Sequence, residues 1–265
     1  MKNHLLLYLL FFVPLLLFGQ TLEPNTPLVY PKLREADIMW QRRIWRVIDL
    51  REKMNQYLYY PFEETNGRIS LFGIIRYGVE NDLLTTYDPM YDDFSMRLNK
   101  QAAISIGTDT VTYEDNYPDP PYDTYTVTRI EHLDNSSVKK YLVKEDWIFD
   151  KARSVMEVRI IGICPVREVR NPDGSLRGEQ MMYWIYFPEL RNLLSQYPIY
   201  NRFNLAQPIS YDDAFIKRMF SSYIYKEDNV FDRKISDYLA GLDAYLEGES
   251  IKEKMRLFES DLWEP

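Results

Sequence analysis

Residues 37–52 read DIMWQRRIWRVIDLRE, and the spacing of their apolar side chains sets the expectation for the rest of the chain. Trp40, Ile44, Val47 and Met54 recur at the three-, four- and seven-residue intervals of one face of an amphipathic helix. Ile38 and Trp45 fall on nearly the opposite side of the same wheel. A helix apolar on two faces has to be covered on both. Two coverings are open: a sheet and another helix of the same chain, or a partner subunit on the Trp45 side, where aromatic and arginine anchors are favoured.

The stretch has an echo near the other end, residues 212–227 (DDAFIKRMFSSYIYKE). Aligned without a gap, Asp37 matches Asp212, Trp40 matches Phe215, Arg43 matches Arg218, Trp45 matches Phe220 and Glu52 matches Glu227. The second wheel repeats the two faces, with Phe215 and Met219 against Phe220 and Ile224. Two copies are too few for a solenoid, where at least three stacked repeats are expected. They read instead as a duplicated helical unit framing whatever lies between. Ile38, Trp45, Phe220 and Ile224 are the candidate partner-interface residues.

What lies between is rich in Thr, Val, Ile and Tyr. Strands are expected at 104–113, 124–132, 138–143, 155–169 and 181–187. Turns fall at 117–123 (YPDPPYD), at 134–137, where 138–143 returns as a hairpin, and at Asn171-Pro172-Asp173-Gly174. Ser70 is a cap for a helix through Leu71, Phe72, Ile75 and Val79, a short helix follows Pro188, and a last one covers about 250–262. The expected fold class is α+β. A mostly antiparallel strand-rich part, 100–190, is flanked by helical parts at 34–99 and 208–265, in one domain from 34 to 265. A proline-rich extended arm, 20–33, precedes it and is long enough to wrap a neighbour.

Residues 1–19 read as a secretory signal peptide: Lys2, an apolar run over 5–18, and cleavage near Gly19 or Gln20. Fourteen residues at about 1.5 Å each fall short of a hydrocarbon core of about 30 Å. Cys164 is the single cysteine, so neither a lipid anchor at the cleavage site nor an internal disulfide is expected. Losing Lys2 takes the 32 basic residues to 31 against 40 acidic ones, a charge that argues against nucleic acid. One histidine, His132, remains beyond the leader, too few for a zinc motif, and Cys164 sits in an apolar run that reads as core. Asp92-Asp93, Asp212-Asp213 and Glu63-Glu64 read as solvated or helix-capping acids. No catalytic residue, cofactor or metal is expected. Asp109-Thr110-Val111 fits a three-residue O-glycosylation pattern of exported Bacteroidota proteins.

Four long strings carry a family likeness: residues 34–61 (READIMWQRRIWRVIDLREKMNQYLYYP), 143–166 (VKEDWIFDKARSVMEVRIIGICPV), 183–191 (YWIYFPELR) and 210–229 (SYDDAFIKRMFSSYIYKEDN). They resemble the GldN/PorN family of gliding motility and type IX secretion. The resemblance implies a non-enzymatic periplasmic subunit peripherally associated with the outer membrane. It further implies a ring formed with a GldK/PorK lipoprotein, contact with the GldL/GldM motor through a GldM/PorM-like shaft, and self-association. The residues alone also leave open an exported glycan-binding module or a hydrolase using paired carboxylates.

Overall fold

The computed structural model describes residues 26–106, 108–116, 124–132, 134–171, 175–201 and 209–261. The expected signal peptide, the turn at 117–123 and most of the turn after Asn171 lie outside the described residues.

The fold is α+β, built on a seven-stranded antiparallel sheet. Its spine is a long hairpin, β5 (Val138–Asp150) with β6 (Val155–Arg170), paired from Asp150↔Val155 to Val138↔Arg167. On one side β5 pairs with β1 (Ile38–Asp49), which pairs with the edge strand β11 (Tyr223–Glu227). On the other side β6 pairs with β7 (Leu176–Met181) and with β8 (Trp184–Tyr186), which carries β2 (Thr86–Tyr87).

The expected helix at 37–52 is therefore a strand. The physical reason is that β5 and β11 supply partners for both backbone edges. The run Ile44, Trp45, Arg46, Val47, Ile48 alternates between two covered faces, as a pleated strand inside a sheet requires. The second copy splits in two. A capping box between Ser210 and Asp213 starts a six-residue helix, Tyr211–Ile216, and Arg218, at φ 51°, turns the chain into β11. The C-terminal halves of the two copies then pair with each other, Trp45 opposite Lys226 and Arg46 opposite Ile224. Both supposedly helical flanks thus contribute strands.

Strand β3 (Thr108–Asn116) pairs with β4 (Thr124–His132) as a separate two-stranded ribbon; β4 does not return onto β5 as its spacing predicts. A further small pair joins β9 (Pro198–Ile199) to β10 (Ile209–Ser210). In chain order the helices are α1 (Gln56–Tyr59), α2 (Leu71–Glu80), α3 (Lys100–Ile106), α4 (Phe187–Leu194), α5 (Tyr211–Ile216) and α6 (Gly241–Asp261). Ser70 caps α2 as expected, accepting from the Gly73 N–H. The last helix begins well before residue 250.

One face of the sheet carries the main core, where Ile48, Tyr141, Val143 and Ile163 meet Leu71, Ile74, Ile75, Phe187, Leu190 and Phe215 of α2, α4 and α5. Each such side chain contributes roughly 1.5–3 kcal/mol. The same face, nearer β11, holds Ile44 and Ile224 under Ile251 and Met255 of α6. Gly248 makes this close approach possible, because a Cβ there would stand 2.7 Å from the Ile224 carbonyl oxygen. On the opposite face Trp45, Cys164, Trp184 and Tyr87 lie under Phe94, whose ring fits over Gly162, where a Cβ would clash at 2.4 Å.

Candidate functional site

Trp45 sits at the centre of β1, with lysines opposite it on both neighbouring strands. Lys226 lies 4.4 Å and Lys144 5.5 Å from its ring, a cation–π ladder across three strands. The indole N–H donates to Asp92 Oδ2 at 2.6 Å, and Lys144 Nζ lies 3.4 Å from Asp92 Oδ1. Burial pulls the Lys144 ammonium below its ordinary value, while Asp92 acts in the opposite sense. The Asp92–Phe94 segment is thus a lid over the second face of the sheet, fixed by charge at one end and by aromatic packing at the other.

The four expected interface residues are not brought to one surface. Trp45, Phe220 and Ile224 are 4 %, 8 % and 3 % exposed, covered by this chain's own residues. Only Ile38, at the start of β1, stays half-buried. Phe220 packs on Phe215 in the main core at 5.5 Å, and Ile224 lies under α6. The described part of the arm also turns inward. Tyr30 lies against Arg191 at 4.3 Å and Arg159 at 5.5 Å, the Pro31 carbonyl accepts from Arg159, and the Leu28 carbonyl accepts from Arg191.

The matched arginines reach adjacent acids of β5. Arg43 grips Asp146 with two hydrogen bonds, 2.6 and 2.8 Å, and Gln41 adds a third. Arg218 meets Glu145, which is fully buried and also accepts from the Trp147 indole. Arg46 lies beside this pair, hydrogen-bonded to Ser222, with burial drawing its guanidinium down. Asp212, expected to be solvated or capping, is instead buried in a two-bond ion pair with Arg191 at 2.7 and 3.0 Å. Asp213 takes the capping role instead, its carboxylate accepting from the N–H of the N-cap Ser210, and Asp93 accepts from Ser95. Glu63 and Glu64 are exposed, as read. Burial pushes the Cys164 thiol up to about 12, which leaves it un-ionised at neutral pH. The side chains of Thr110 and His132 lie outside the described residues.

Outward-facing chemistry lies elsewhere. An open groove of about 840 Å³ has Met54, Tyr57, Tyr60, Ile199, Tyr200 and Met219 among its walls. Its charged residues are Lys53 and Arg68, and Arg68 lies 5.7 Å over the Tyr200 ring. The sequence reading missed this groove because its two walls are over a hundred residues apart. The signal available was the dense aromatic cluster at Tyr57, Tyr59, Tyr60 and Phe62.

Together these features define an α+β body whose buried carboxylates, Glu145, Asp146, Asp150 and Asp212, are tied to its own arginines, and whose aromatic groove opens elsewhere on the surface. The family model for the gliding motility associated protein GldN matches residues 33–264, the whole sheet-and-helix body, and the chain belongs to that family. It is accordingly of the gliding motility and type IX secretion class. Among curated proteins no match to the chain is found. No helix among the described residues is long and apolar enough to cross a membrane.

Proposed function

We propose that the mature protein is a non-enzymatic structural subunit of the type IX secretion and gliding motility machinery. It works in the periplasm, peripherally attached to the outer membrane through a GldK/PorK-like lipoprotein, in a ring that meets a GldM/PorM-like shaft of the motor. The observation that carries this reading is the family match along the whole body. The inward ion pairs support it: Asp212, Glu145 and Asp146 are held by arginines of the same chain, whereas a carboxylate hydrolase needs acids within hydrogen-bond reach of a substrate. Ile38 remains the surface position of the expected interface. Trp45 and Ile224 hold β1 and β11 from opposite faces of the sheet, and Phe220 packs in the main core.

Fractionation of native envelopes tests this. The protein is expected in a megadalton outer-membrane assembly that co-purifies with a lipoprotein, its N-terminus beginning near Gln20 or Thr21. Recovery as a soluble monomer that binds glycan would sink the reading and favour the glycan-binding alternative.

A further inference from the structure

The seven-stranded sheet ends in three places, and the chain covers two of them. At β11 the helix α6 lies against the strand, with Gly248 beside the Ile224 carbonyl. At β2 residues 96–98 meet the outer side: the Leu98 N–H donates to the Thr86 carbonyl and the Asp88 N–H to the Met96 carbonyl. The third end, β7, pairs only with β6, and among the described residues no backbone hydrogen bond leaves its other side. Such an edge presents a row of free N–H and C=O groups, which proteins blunt with proline, like charge or a covering segment. β7 reads LRGEQM, with no proline and one charge of each sign. Leu176, Arg177, Glu179 and Gln180 are exposed, and a Cβ at Gly178 would meet nothing within 4 Å.

The two charges lie symmetrically about Gly178. Arg177 and Glu179 share the face of the sheet that carries Met181 and Lys140. Lys140 Nζ lies 2.6 Å from Glu179 Oε1, whereas Arg177 has no such partner among the described residues.

We infer that β7 pairs antiparallel with β7 of a second copy of this chain, Gly178 opposite Gly178, so that Arg177 of each copy faces Glu179 of the other. Charge fixes both the occupant and the register. Across a two-fold axis directly opposed residues share a face, so the register slips only two residues at a time. One step sets Arg177 against Arg177 and the opposite step sets Glu179 against Glu179, and like charges directly opposite destabilise a pair. In the favoured register each Glu179 lies between Lys140 of its own copy and Arg177 of the other. The free N–H and C=O groups of the two edges satisfy one another, and these main-chain bonds carry the affinity, as in strand addition generally. The contact is isologous, so it closes as a dimer and does not extend. The inference rests on the reading of the protein as an assembly subunit and gives that assembly a two-subunit building block.

Sedimentation velocity of the full mature chain with two charge reversals tests it. Wild type is expected to pass from monomer to dimer as concentration rises, less readily at high salt. Arg177→Glu and Glu179→Arg are each expected to weaken dimerisation about tenfold or more, since each sets like charges face to face twice. Mixed one to one, they are expected to recover the dimer, because every opposed pair is again of opposite sign. Arg177 has no partner of its own to lose, so Arg177→Glu is expected to keep the wild-type circular dichroism spectrum.

Oxidative crosslinking reads the register and carries the test alone should a reversal fail to fold. In Gly178→Cys the opposed Cα atoms stand about 4.5–5.5 Å apart, within disulfide reach, and a covalent dimer is expected. In Gln180→Cys the two thiols are offset by four residues, roughly 13 Å, and no crosslink is expected. Cys164, the single native cysteine, is buried and does not compete. A wild type that stays monomeric at its highest soluble concentration overturns the inference. So does dimerisation unchanged by both reversals, or a Gln180→Cys chain that crosslinks as fully as Gly178→Cys. If wild type is monomeric yet fractionates into the envelope assembly, this joint is wrong and the assembly reading stands. If it dimerises through β7 but is recovered away from the envelope, the joint stands and the assembly reading fails.

Discussion

Residues 37–52 and 212–227 carry nearly the same pattern of acids, arginines and aromatics, yet the first is a twelve-residue interior strand and the second a short helix followed by an edge strand. The difference lies in what surrounds each. The first copy enters the sheet from Arg34, which gives no side-chain cap, and meets β5 along its whole length. The second follows Ser210, whose hydroxyl accepts from the Asp213 N–H, while the Asp213 carboxylate reaches back to the Ser210 N–H. Matching letters therefore hold different roles, and matched substitutions should have unmatched effects.

The widest gap is expected at the leading aspartates. Asp212→Ala strands Arg191 in a buried site, and losing one partner of a buried pair costs about 3–5 kcal/mol. Asp37 is half-buried and held through its backbone, its carbonyl accepting from Lys151, so Asp37→Ala should stay within about 0.5 kcal/mol. Urea unfolding of both variants checks this, and equal losses would mean that the two copies share one environment after all.

That contrast marks what the residues alone could convey. Class and antiparallel order were legible because β-branched runs and turn residues are local signals. So was the cap at Ser70. The strand at 38–49 was not, because Trp40, Ile44 and Val47 satisfy a helical interval while Ile44, Arg46 and Ile48 satisfy a strand one. Only the distant partners β5 and β11 decide between them. The interface candidates failed to gather on one surface for the same reason: two-sided apolarity signals coverage, and Trp45 is covered by Asp92 and Phe94 of its own chain. The arm was read as free to wrap a neighbour because nothing in its composition shows that Arg159 and Arg191 hold it.

A smaller gap is expected at the matched arginines. Arg218→Ala leaves the fully buried Glu145 carboxylate with fewer partners, a loss on the order of 2 kcal/mol. Arg43 is partly exposed, and Arg43→Ala should cost under about 1 kcal/mol even with its two-bond geometry. Raising salt should narrow the Arg43 effect more than that of Arg218, since the more exposed pair is the better screened. Chemical denaturation at two ionic strengths separates the two.

The smallest effect tests why the second copy starts as a helix at all. Ser210→Ala removes the hydroxyl that caps Asp213 N–H, and loss of such a cap typically costs about 1 kcal/mol. Ser210→Asp keeps an acceptor and should recover most of it, although the new carboxylate faces Asp213 across the box and repulsion takes back part of the gain. Ser210→Gly should fall within a few tenths of the serine. The order serine, glycine, alanine in thermal melts places the start of α5 on the cap. Three equal melts would instead place it on the Arg191–Asp212 pair, two residues after the cap, and the copies would then differ by burial alone.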